Sequence, residues 1–151
     1  MNNNNFTTNN FELEDKILKQ IEDNTDWTRI LNQKTGCKVD FITQDGKSVQ
    51  HITSQLMPKT RNAYLPTNKW NDSKNLNEIW SFGLPTSENN MFPLLKLWII
   101  ETVELEKAIK ACDFTIKAAK NEPNMFGYII SIEWLEKHCS KSLEMNNFIS
   151  K

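Results

Sequence analysis

The sequence predicts a small α+β protein, mainly helical, in which a helical bundle carries one β-hairpin. Three observations lead there. Apolar residues recur at spacings of three and four, most clearly over residues 102–120, where Leu105, Ala108, Ile109, Cys112, Ile116 and Ala119 oppose Glu104, Glu106, Lys107, Lys110 and Lys117. One stretch, residues 38–53, instead holds two β-rich segments around Asp45-Gly46, a pair that tolerates the backbone angles of a tight hairpin turn. A chain of 151 residues suffices for one domain with one core.

Taken in order, residues 1–10 are dominated by Asn and Thr, and too few apolar side chains are present to offset chain entropy, so a disordered tail is expected. A single globular domain then spans 11–140. Its first part, 11–53, reads as helix, helix and hairpin. Phe11, Leu13, Ile17, Leu18 and Ile21 form the apolar stripe of the first helix, which ends near Asn24. Thr25 or Asp26 caps a shorter second helix with Trp27, Ile30 and Leu31, stopped at Gly36, and Trp27 reads as a core anchor.

Residues 54–71, with Pro58, Pro66 and several Asn and Thr, read as a long loop. Residues 72–140 read as the helical bundle. Asp72 or Ser73 caps a short helix bearing Leu76, Ile79, Trp80 and Phe82, closed by Gly83 and Pro85. After Pro93, the run Leu94, Leu95, Leu97, Trp98, Ile99 and Ile100 is apolar nearly all round, as in a buried central helix. The helix over 102–120, the break at Pro123, and the renewed pattern through Phe126, Ile129 and Ile130 make an antiparallel helical pair. Residues 141–151 form a polar tail.

Lys plus Arg number 18 and Asp plus Glu 19, so a formal net charge of −1 supplies no broad field for a phosphate backbone. Cys37, Cys112 and Cys139 are odd in number and far apart, and no basic start with an apolar run precedes them, so a reducing cytoplasm is the expected setting. The longest apolar run, residues 94–100, contains Lys96 and is too short to span a bilayer, so no membrane is expected. The four glycines never cluster into a phosphate loop, and no two cysteines stand in CxxC spacing. No metal site, cofactor or catalytic set is predicted. A thiol at Cys37 with His51 and Asp40 is the nearest approach to one, and it lacks any signal for an oxyanion-stabilising element.

The candidate contact surface is the polar stretch with Lys59, Arg61, Tyr64, Lys69 and Trp70. Trp70 stands among Asn, Lys and Asp, and a cation-flanked aromatic of this kind suits stacking on a base or anchoring a protein partner. At the C-terminal pair, Glu104-Leu105-Glu106-Lys107-Ala108-Ile109, the Asn/Pro loop and Phe126-Gly127-Tyr128-Ile129 leading to a helix with Trp134 resemble the end of DnaD-like primosomal and phage replication-organiser proteins. That resemblance implies a helical domain engaged in helicase loading that binds DNA or a primosomal partner. The expected function is therefore a non-enzymatic protein-interaction module, an accessory replication protein of a bacterium, phage or plasmid. A DNA-binding replication initiation or helicase-loading factor, and a small Cys-dependent enzyme, are the competing classes. Oligomeric state is not legible.

Overall fold

The structure, a computed structural model, describes residues 2–30, 39–119 and 122–146, with side chains over 12–30, 39–119 and 124–146. The elements in chain order are α1 Asn2–Asn24, β1 Thr28–Arg29, β2 Phe41–Ile42, β3 Ser48–Thr53, α2 Met57–Thr60, β4 Asn62–Pro66, α3 Thr67–Ser73, β5 Ile79–Pro85, β6 Leu94–Glu101, α4 Thr102–Lys110, β7 Thr115–Ala119, β8 Glu122–Ser131, α5 Ile132–His138 and β9 Lys141–Glu144. Strands, not helices, frame the protein, and the expected helical bundle is replaced by two sheets. The larger has the order β1-β2-β3-β5-β6-β9 and the smaller β4-β8-β7. Within the larger sheet β3 and β5 run parallel, and the other neighbours are antiparallel.

The large sheet is covered on both sides, and this explains why its strands read as helix. Val49, Leu97 and Ile99 pack with Phe41, Trp27 and the α1 stripe of Ile17, Leu18 and Ile21. Ile52, Trp80, Phe82, Trp98 and Ile100 pack with residues of α2, β4, α3, α4, β8 and α5 on the opposite face. A strand buried on both faces is apolar without alternation, so the run Leu94–Glu101 carries no period-two signal and is a central strand where a central helix was expected. The expected helix with Ile79, Trp80 and Phe82 is β5 for the same reason.

Three further expectations change. The segment with Trp27 and Ile30 contains the short strand Thr28–Arg29 instead of a second helix, while Leu31 and Gly36 lie outside the described residues. Trp27 is a core residue, packed 5.5 Å from the Phe41 ring. The stretch read as one loop over 54–71 holds α2, β4 and the first turns of α3. The C-terminal helical pair does not form: α4 stops at Lys110, Cys112 turns the chain with φ 59°, and β7 and β8 follow as an antiparallel ribbon. Tyr128, Ile129 and Ile130 are the aromatic and β-branched types that suit a pleated surface. Helix resumes only at α5, where Ser131 Oγ accepts the backbone N–H of Trp134 at 3.0 Å.

The hairpin forms between β2 and β3, with Phe41 opposite Val49 and Ile42 opposite Ser48. Gly46 adopts φ 90° and donates its N–H to Thr43 O at 2.9 Å, the left-handed geometry that the Asp-Gly pair suits. Helix α1, which takes in the Asn-rich start, is fastened to the sheet by a side chain that imitates a strand. Gln20 Nε2 donates to Leu94 O at 3.0 Å and its Oε1 accepts Leu94 N–H at 2.8 Å. The segment after α5, expected as a polar tail, supplies the edge strand β9, which pairs with β6 from Lys96 to Ile99. Among the described residues no helix is long and apolar enough to cross a membrane.

Candidate binding cleft

The parallel connection from β3 to β5 is interrupted by β4, which leaves the large sheet and joins the small one. That detour opens a cleft of about 850 Å³ between α1, the end of β3 and the small sheet. Its apolar lining includes Leu13 and Ile17 from α1, Ile52 from β3 and Ile129 from β8. Its charged lining is Glu14, Lys59, Lys69 and Lys117, three cations from three separate elements against one carboxylate.

Local structure sets each of these. Pro58 lies in the first turn of α2, where its missing N–H costs nothing, and Arg61 closes the helix in the left-handed region by donating its N–H to Met57 O at 2.9 Å. Lys59 is exposed on this short helix. In α3, Trp70 is 2% exposed and packs against Trp80 at 5.5 Å, which pins the helix to the core. Successive residues on a helix project roughly 100° apart, so the same docking that buries Trp70 leaves Lys69 free to line the cleft. Lys117 is exposed on β7.

Tyr64 spans the small sheet beneath the cleft. On β4 it stands opposite Ile129, and its ring lies across Gly127 of β8 so closely that a Cβ there would sit 2.3 Å from Tyr64 Cζ. The phenol donates toward Lys117 O at 3.3 Å and Met125 O at 3.5 Å. Ser54 Oγ accepts the backbone N–H of Tyr64 at 2.8 Å and so joins β4 to the end of β3.

At the β3 side, where His51 lines the cleft, lies a polar pair. Asp40 Oδ2 accepts the backbone N–H of His51 at 2.8 Å and the side-chain N–H of Gln50 at 3.0 Å. Burial pushes the Asp40 carboxyl up, against the lowering pull of the His51 N–H and the Lys69 charge. His51 is buried, with Nδ1 2.8 Å from Ser81 Oγ and Nε2 2.5 Å from Thr53 Oγ1. Burial, with the positive charge of Lys69, lowers its pKa to about 3, so the ring is neutral at ordinary pH.

The residues singled out in the sequence therefore divide. Lys59, Tyr64 and Lys69 meet in the cleft, Arg61 is exposed outside its lining, and Trp70 is core and offers no surface in the folded state. Asp40 holds the backbone of His51 and not its imidazole, both ring nitrogens face hydroxyls, and Cys37 lies outside the described residues. Among the described residues no three His, Cys, Asp or Glu side chains gather as a metal site. Sequence reading missed Glu14 and Lys117, which look like solvated helix charges in a linear pattern. No spacing announces a site whose cations come from α2, α3 and β7. No known protein-family model and no curated protein matches this sequence.

Proposed function

We propose that this chain is a non-enzymatic interaction module whose cleft receives an acidic segment of a protein partner. The observation that carries the reading is the convergence of Lys59, Lys69 and Lys117 on one largely apolar cleft with a single opposing carboxylate, Glu14. An apolar floor with a few placed charges is the usual composition of a ligand cleft, and about 850 Å³ falls within the usual size range. Clustered cations add attraction and orientation for an acidic partner, while the apolar floor supplies desolvation energy. The formal net charge of −1 favours a protein segment over a nucleic acid, since a phosphate backbone would have to be held by these local lysines without a supporting field. The accessory replication role implied by the resemblance draws no support from this geometry.

The test is selection of short peptides from a random display library, with counter-selection on the Lys59→Glu/Lys69→Glu/Lys117→Glu variant. Acid-rich sequences that lose about tenfold or more in affinity on charge reversal are expected. Selection of basic or neutral sequences, or of none, refutes the reading. Tighter and steeply salt-dependent binding of a short oligothymidylate would instead establish the nucleic-acid class.

A further inference from the structure

We propose that the partner segment binds as an added β-strand along the outer edge of β7, an inference that rests on the cleft being a protein-binding site. Side chains alternate across a strand, so a cavity lying over one face touches every second residue. This cleft takes Asn62, Tyr64 and Pro66 from β4, Ile129 from β8 and Lys117 from β7, one face across all three strands of the small sheet, and it continues past Lys117 along Ala118 and Ala119, where the register with β8 shifts. It therefore lies over that face and reaches the margin of the sheet at β7. β7 is the terminal strand of the small sheet, and among the described residues its sole strand neighbour is β8. Residues Thr115 to Ala118 are all exposed.

The edge also specifies its occupant. Register places Ala118 opposite Phe126 and Ile116 opposite Tyr128, so these four share one face of the ribbon while Lys117 occupies the other. Ile116 is 57% exposed and Phe126 48% exposed, two large apolar side chains that the core does not use. A strand laid beside β7 covers Ile116 with apolar residues on one face, reaches toward Phe126 across the small side chain of Ala118, and meets Lys117 with acidic residues on the other face. A second copy of β7 is the wrong occupant, because two-fold pairing about its central residue sets Lys117 against Lys117 and like charges directly opposite are unfavourable. The chemistry that fits is an extended peptide alternating acidic and apolar residues, bound by main-chain hydrogen bonds with side chains setting specificity.

The experiment takes the acid-rich peptides selected on the cleft and methylates their backbone nitrogens one position at a time. An added strand turns alternate N–H groups toward β7, so affinity should fall by about tenfold or more at every second position and little at those between. Amide exchange of the protein should slow in β7 on binding. Lys117→Glu should weaken binding with its thermal unfolding unchanged. Acid-rich peptides that bind but tolerate methylation everywhere, or lose affinity with a three- or four-residue period, overturn the added strand and leave the cleft reading standing. Failure to select any acid-rich peptide overturns both.

Discussion

Substituting Gly127 by alanine tests the geometry that holds the cleft. The added Cβ would lie 2.3, 2.5 and 2.7 Å from Tyr64 Cζ, Cε1 and Cε2. Carbon atoms in contact sit about 3.5–4.0 Å apart, so the ring must withdraw by an ångström or more. Overpacking of this kind costs about 1–3 kcal/mol. The phenol contacts to Lys117 O and Met125 O, at 3.3 and 3.5 Å, have no slack and would be lost, adding at most about 1 kcal/mol. Restriction of the unfolded chain by alanine returns about 0.4–1 kcal/mol. The net expectation is a loss of about 1–3 kcal/mol in urea unfolding followed by tryptophan fluorescence. The decisive measurement is a double-mutant cycle, because in a Tyr64→Ala background the obstacle is gone and Gly127→Ala should be neutral or slightly stabilising. An equal penalty in both backgrounds refutes the account. Because Tyr64 lines the cleft, Gly127→Ala should also weaken peptide binding.

Trp70→Ala should cost about 3–5 kcal/mol in the same unfolding assay, since the side chain is 2% exposed and packed on Trp80, whereas Phe126→Ala should stay within about 0.5 kcal/mol at its 48% exposure. Equal costs would contradict the burial of Trp70 against Trp80 and the exposure of Phe126. The His51 pKa of about 3, below the ordinary 6.5, means the unfolded chain takes up the proton first as pH falls, so His51-linked stability is complete above pH 6.5 and declines toward pH 3. At about 1.4 kcal/mol per pH unit the loss reaches roughly 3 kcal/mol at pH 4, and thermal melts of His51→Gln should show a flatter profile over that window. Asp40, whose pKa is raised, acts in the opposite sense, adding stability as pH falls toward 3.8 and offsetting part of the decline. A wild-type melting temperature that is level from pH 7 to 4, and equal in slope to the variant, contradicts the buried neutral imidazole.

What the sequence made legible follows from how local each signal is. The Asp45-Gly46 turn, the α1 stripe, the helix α4 and the burial of Trp27 rest on neighbours within a few residues, and each is present in the structure. The large sheet was not legible because its central strands are apolar on both faces. Trp98 and Ile100 belong to one core, and Leu97 and Ile99 to the other. Leu105, Ala108 and Ile109 do lie along a helix, but the pattern was extended to Ile116 and Ala119, which follow the left-handed turn at Cys112 and sit in β7. Lys117, Ala118 and Ala119 carry weak β preference, so beyond Thr115 and Ile116 it is pairing with β8 that decides the state of the strand.

The cleft was half legible for a related reason. Lys59, Tyr64 and Lys69 lie within eleven residues and were grouped by their composition, which happens to coincide with one wall of the site. Their aromatic companion was misjudged because a tryptophan in a polar stretch looks solvent-facing until the opposite face of its helix is known. Lys69 and Trp70 are adjacent, yet α3 sends one to the cleft and the other to the core. A polar run of this kind thus faces two ways at once. Its large aromatic fixes the helix against Trp80, and that fixation brings the lysine to the same cleft as a cation from β7 nearly fifty residues away. Packing here is the cause of the site's electrostatics, so loosening Trp70 should degrade both stability and acidic-peptide affinity, whereas charge reversal at Lys59, exposed on α2, should degrade affinity alone.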